Sequence, residues 1–214
     1  MNPLLHGLYV ITEDQPPPTR PLVAGVVAAL RGGARIVQYR DKSDDQARRF
    51  NEARALNELC RQHGALFLIN DDIDLAASVG AGGVHLGRDD SGIASARRHL
   101  PSGSVIGITC YNQYDRAQAA AANGADYIAF GSFHPSPTKP HAVRADLELL
   151  RRAHHELSLP TVAIGGISPE NGAALVSAGA DMLAVVSAVF AAPDISAAAR
   201  AFAPCFNPPE ETQR

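Results

Sequence analysis

No stretch of the chain stays apolar long enough to span a bilayer, and the N-terminus carries no signal-peptide pattern. A membrane or secreted protein is therefore not expected, and the reducing cytoplasm is. Cysteine is scarce. Cys60, Cys110 and Cys205 form an odd set without CxxC spacing, so neither a disulfide framework nor a zinc site is indicated. A surplus of one charge is also missing: the formal net charge is −3 and no basic block occurs, which gives no reason to expect nucleic acid. Absent too are a Ser–His–Asp ordering, an HExxH motif and a GxGxxG after a strand. Nucleophilic hydrolysis and dinucleotide redox chemistry are left without support. The histidines say little: His85, inside an apolar run, reads as a satisfied core residue, and Cys110 as a small packing residue.

What is present is ordinary globular composition, 46% hydrophobic and 19% charged over 214 residues, enough to bury a substantial core. One local pattern recurs. Helical stretches end at Gly33, Gly80, Gly124 and Gly179, and a short apolar run follows each within a few residues. Strands are expected at Gly7–Ile11, Ile36–Arg40, Ala65–Ile69, Val84–Leu86, Val105–Thr109, Tyr127–Phe130, Thr161–Ile164 and Met182–Val186. Between them the periodicity predicts helices such as Asp44–His63, with Ala47, Phe50, Ala53, Leu56, Asn57 and Cys60 on one face. Others are expected at Gln113–Asn123, Ala145–Leu157 and Pro169–Ala178, the last N-capped by Ser168. Eight rounds of strand and helix are the count of an α/β (β/α)8 TIM barrel, a single domain over residues 1–203. A doubly wound open sheet is the alternative. The Pro-rich Gln15–Pro21 reads as a loop, and residues 204–214 as a flexible tail.

The stretch from Ala65 to Asp90 carries the first chemical signal. Two successive buried strands each end in acid, at Asn70-Asp71-Asp72 and at Asp89-Asp90. Parallel strands would bring those carboxylates to the same side of the sheet, where α/β folds keep their chemistry. A few oxygen ligands suit Mg²⁺ completed by water and substrate phosphates. For Asp71 or Asp72 alone, capping the next helix is the plain alternative. The other expected strand ends supply Thr12, the run Gln38-Tyr39-Arg40-Asp41-Lys42, Thr109, and Ser136-Pro137-Thr138-Lys139. Cations at Arg40, Lys42 and Lys139 around such a metal are what a diphosphate needs. Gly165-Gly166 after the seventh strand and Ser187 after the eighth stand where barrels commonly hold a phosphate through backbone N–H groups. A plain turn is the alternative for Gly165-Gly166.

These motifs resemble those of the thiamine-phosphate synthase family over nearly the whole chain. The matching segments are VQYRDK at 37–42, IND at 69–71, DLA at 74–76, GVHLGRDD at 83–90, IGIT at 106–109, PSPTKP at 135–140, AIGGI at 163–167 and VVSA at 185–188. The resemblance implies an enzyme joining hydroxymethylpyrimidine diphosphate to a thiazole phosphate with release of pyrophosphate. It implies that Gln38, Tyr39, Arg40, Asp41, Lys42, Asn70, Thr109 and Lys139 hold the pyrimidine diphosphate, with Arg40, Lys42 and Lys139 meeting the leaving group. It further implies Mg²⁺ on Asp71 and Asp90, and the thiazole phosphate on Ser136, Pro137, Thr138, Gly166, Val186 and Ser187. Partners are then small-molecule substrates, and a homo-oligomer is compatible with the sequence. The chain departs from the family pattern at Asp72, where many members carry Arg, and at Arg88, where Gln is common. Ser132 and Ser136 stand where Pro and Thr are frequent. A thiazole tautomerase-like relative and a non-catalytic regulator on the same barrel are the rival readings.

Overall fold

Side chains along each strand alternate between two separate cores, and that alternation sets the architecture. In β2 (Ile36–Tyr39), Ile36 belongs to an inner cluster with Tyr9, Leu68, Tyr127 and Met182, while Val37 and Tyr39 join an outer one with Val26, Leu56 and Ile128. A sheet buried on both faces needs helices outside and closure inside. The computed structural model, which describes residues 2–14, 19, 21–87, 91–135 and 143–207, has both. The remaining strands are β1 (Gly7–Ile11), β3 (Leu66–Asn70), β4 (Gly83–Leu86), β5 (Val105–Tyr111), β6 (Tyr127–Gly131), β7 (Thr161–Ile164) and β8 (Met182–Val185). All neighbours pair in parallel, and β8 closes onto β1 through the Gly7–Met182 register. The (β/α)8 barrel is the expected fold, and the open sheet is excluded.

The outer ring comprises α1 (Leu22–Arg31), α2 (Gln46–Gln62), α3 (Ile73–Val79), α4 (Ser91–His99), α5 (Tyr114–Ala122), α6 (Leu147–Glu156) and α7 (Pro169–Ser177). After β8 come α8 (Ser187–Phe190), α9 (Ile195–Arg200) and α10 (Ala203–Phe206). Local chemistry sets the boundaries. Asp45, Asp72, Asp146 and Asp194 each accept a backbone N–H at a helix start. Gly80 ends α3 at φ 64°, a left-handed conformation that costs glycine nothing. Asp126 and Asp181, which follow Gly124-Ala125 and Gly179-Ala180, accept from the backbone N–H groups of Ile106 and Thr161 in the neighbouring strands.

Two expectations are corrected. The core face of α2 is Ala53, Leu56 and Cys60, whereas Ala47 and Phe50 face solvent. A 17-residue helix is roughly 25 Å long and a five-residue strand only about 17 Å, so its first turns overhang the sheet. The expected tail also starts too early. Residues 203–206 form α10, which packs on α7 with Cys205 buried and its Sγ 3.4 Å from the Pro169 carbonyl. The expected loop at Gln15–Pro21 lies mostly outside the described residues.

Candidate active site

The C-terminal strand ends form one rim. Thr12, just past β1, receives the Arg40 N–H on its Oγ1 (2.9 Å) and fixes the chain where β2 ends. Arg40 is paired there with Asp14, a carboxylate that the sequence motifs did not single out. Lys42 is exposed. Tyr39 and Asp41 do not aim their side chains inward. The Tyr39 hydroxyl donates to Glu52 on α2 (2.7 Å), and its ring sits in the outer core. Asp41 accepts from the Ser43 N–H (2.8 Å) and pairs with Arg48 (2.7 Å). Burial alone would raise the Asp41 carboxyl, but the Ser43 hydrogen bonds and Arg48 outweigh it and hold the carboxyl below its ordinary range. Main-chain groups are what Tyr39 and Asp41 can offer the rim.

The two acids after β3 have different jobs. Asp72 is the N-cap of α3 and pairs with Arg49 of α2 at 2.6 Å, so a cation stands beside this rim despite the missing family arginine. Asp71 is no cap. It occupies the left-handed region at φ 61°, uncommon without glycine and enriched at functional sites. Its Oδ1 accepts from the Gly87 N–H (3.1 Å) and its Oδ2 from the Asn70 amide (2.7 Å), which points the carboxylate at the β4–α4 turn. Hard oxygen donors of this kind fit Mg²⁺. Asp90, the expected second ligand, lies outside the described residues, as do Arg88 and the expected Ser136, Pro137, Thr138 and Lys139. Arg116 of α5, which no motif pointed to, braces the same turn. It donates to the Gly87 carbonyl (2.8 Å) and the Thr109 carbonyl (2.9 Å), with the Tyr111 ring 5.8 Å away.

Below this rim the barrel interior is polar in one line. Gln38 donates to the Tyr9 hydroxyl (2.5 Å), which lies 2.9 Å from the Tyr127 hydroxyl. The Tyr127 oxygen is 2.8 Å from His85 Nδ1, and His85 Nε2 is 2.7 Å from Thr109 Oγ1. The imidazole stacks on the Tyr127 ring at 22°. His85 is satisfied, as expected, but half-buried within reach of the rim, and it carries Thr109. The signal for this line was the pair of tyrosines at inward positions of β1 and β6. A second was Gly107, where a Cβ would stand 1.9 Å from Tyr127 Cζ.

Across the ring, β7 and β8 stand opposite β3 and β4. Gly166, at φ 62°, comes so close to the β6–α6 loop that a Cβ would stand 2.3 Å from the Pro135 carbonyl oxygen. Asn171 holds the Gly166 carbonyl (3.1 Å) and receives the Ser168 N–H (2.9 Å). Val186 caps α8 and Ser187 opens it, so Gly166, Val186 and Ser187 share one side of the mouth, with a short extra helix in the position that barrels use for phosphate. The structure thus gathers Gln38, Arg40, Asn70, Asp71 and Thr109 on the β1–β5 side, and Gly166, Val186 and Ser187 facing them.

A single-domain (β/α)8-barrel enzyme with its candidate groups gathered at the C-terminal rim is the class so defined. Within that class, the model of the thiamine monophosphate synthase family matches residues 8–189, and the chain belongs to this family. Thiamine-phosphate synthase of Thioalkalivibrio sulfidiphilus is 56% identical over 203 residues, covering 95% of this chain and 96% of that protein. The enzyme of the same name from Halorhodospira halophila is 55% identical over 196 residues, 92% of each chain. Among solved structures, thiamine phosphate pyrophosphorylase from Pyrococcus furiosus superposes with a TM-score of 0.82 at 34% identity, over 95% of this chain and 96% of that one. The activity is accordingly that of a transferase, thiamine-phosphate synthase. No helix among the described residues is long and apolar enough to cross a membrane.

Proposed function

We propose that the mouth couples hydroxymethylpyrimidine diphosphate to a thiazole phosphate, giving thiamine phosphate and pyrophosphate. The observation that supports this reading is the placement of two different anion-handling groups on opposite sides of one rim. Arg40, Lys42 and the strained Asp71 lie on one side, and Gly166 with the start of α8 on the other.

The substrates supply much of the reactivity. Loss of pyrophosphate leaves a pyrimidinylmethyl cation that the electron-rich aminopyrimidine stabilises, so no strong enzymic base is required. Arg40 and Lys42 meet the negative charge that grows on the leaving group, and Lys139 of the PSPTKP motif joins them. Arg40 must exchange Asp14 for the diphosphate when substrate arrives. Gly166, Val186 and Ser187, together with Ser136 to Thr138, hold the thiazole phosphate, and that anchor keeps the attacking nitrogen close to the cation. Asp71 and Asp90 would hold Mg²⁺, which when bound supplies charge neutralisation for the diphosphate. A cytoplasmic setting agrees with a chain of only three cysteines, none at CxxC spacing.

The test is turnover. Pyrophosphate release with both substrates and Mg²⁺, and none when the thiazole phosphate alone is supplied, is the expected result. Tight binding of the thiazole phosphate without any pyrophosphate release would overturn the coupling reaction in favour of a binding protein.

A further inference from the structure

Five side chains from five strands form one continuous line of hydrogen bonds, and one self-consistent set of donors starts from the Gln38 amide. Gln38 gives an amide N–H to the Tyr9 oxygen. With that oxygen already accepting, the proton of Tyr9 has the Tyr127 oxygen as its acceptor. Tyr127, accepting in turn, sends its own proton on to His85 Nδ1. A neutral imidazole that accepts at Nδ1 carries its proton on Nε2 and donates it to Thr109 Oγ1. With this set of donors the Thr109 proton is turned away from His85. Burial raises the pKa of both Tyr9 and Tyr127, so both phenols keep the protons that the line hands on. The line is also held mechanically: His85 stacks on Tyr127, whose ring fills the space left by Gly107.

We propose that Tyr9, Tyr127 and His85 are positioning residues that set the Thr109 hydroxyl as a fixed donor to an acceptor atom of the pyrimidine diphosphate. This rests on the coupling reaction proposed above. A hydroxyl free to rotate would spend part of its time as an acceptor. One locked by His85 presents the same donor to every incoming substrate, at no ordering cost on binding.

The proton position is read without substrate. Long-range proton–nitrogen NMR on nitrogen-15 histidine-labelled protein, with His85→Gln for assignment, should show His85 as the Nε2–H tautomer. A proton on Nδ1, alone or in addition, overturns the proposal. Tyr127→Phe should give a mixture of tautomers. It should also raise the KM for the pyrimidine diphosphate about tenfold, the scale of one neutral hydrogen bond, with the thiazole phosphate KM unchanged. Thr109→Val should match that loss, and Thr109→Ser should restore the wild-type value. Equal increases in both KM values, or failure of serine to restore, would overturn the positioning role. If Tyr127→Phe does not fold, the wild-type spectrum and the Thr109 pair still decide between the two outcomes. Absence of turnover in the wild-type enzyme would sink the coupling reaction, whereas the tautomer answers for the relay independently.

Discussion

Two adjacent aspartates with the same chemistry end up with unrelated tasks, and the backbone decides which is which. Asp72 has the extended backbone of an N-cap and spends its carboxylate on Leu75 and Arg49. Asp71 is left-handed, exposed, and aimed across to Gly87. Asp71→Asn should therefore raise the Mg²⁺ concentration needed for half-maximal activity while leaving the melting temperature nearly unchanged. Asp90→Asn should do the same, and the double variant should lose little more than the worse single one, because both act through one ion. Activity titrated against Mg²⁺ reads this directly, and wild-type Mg²⁺ dependence in both single variants would return the acids to a structural role. Asp41 needs a different measurement. Its carboxyl titrates below its unfolded value, so its contribution to stability is present above the ordinary carboxylate range and is lost as pH falls through the lowered folded value. The stability gap between wild type and Asp41→Asn should be widest near neutral pH and close on acidification, as denaturant midpoints across pH would record. The sequence singles out Asp71 and Asp41 but not which way their side chains turn. Period-two alternation places Tyr39 outward, yet a motif read as a block treats all of its members alike.

Elements were the most legible scale. Short apolar runs bounded by glycine gave strands within a residue or two of those observed, because a strand buried on both faces has no polar position to blur its limits. The overhang of α2 was not legible, since its first turns keep the same apolar spacing without a sheet beneath them. Nor was the fate of residues 203–206, where two prolines further on suggest an unfolded end. In β5 the sequence does not show that the space at Gly107 is filled by a ring from the next strand. Gly107→Ala should cost about 1–3 kcal/mol, the range for overpacking a filled core, since the added carbon falls on the Tyr127 ring. Denaturant unfolding measures it, and a neutral result would show that the ring can move aside.

At the scale of the molecule, closure of the ring puts β3 and β4 opposite β7 and β8, and the proposed reaction then has its two substrates meet from different sides. Perturbing one side should leave the other intact. Ser187→Glu should weaken the thiazole phosphate at least tenfold more than the pyrimidine diphosphate, because a carboxylate then faces the phosphate. Separate KM values for the two substrates check this, and equal loss for both would mean that the anion sites are not distinct. This separation was foreseeable only once the barrel was assumed, because residues 71 and 187 lie far apart in sequence and take their opposition from topology alone.

The Gly107–Tyr127 contact has a consequence for descent. The two positions are register partners on adjacent strands, and one supplies the volume that the other lacks. Position 107 cannot gain a side chain alone. A lineage that gains a side chain at 107 must first have shed its ring at 127, and with the ring goes the oxygen that joins β1 to β4. Across related barrels, a residue larger than glycine at 107 should accompany one smaller than tyrosine at 127. Where that exchange has happened, the histidine at 85 should be released to vary as well.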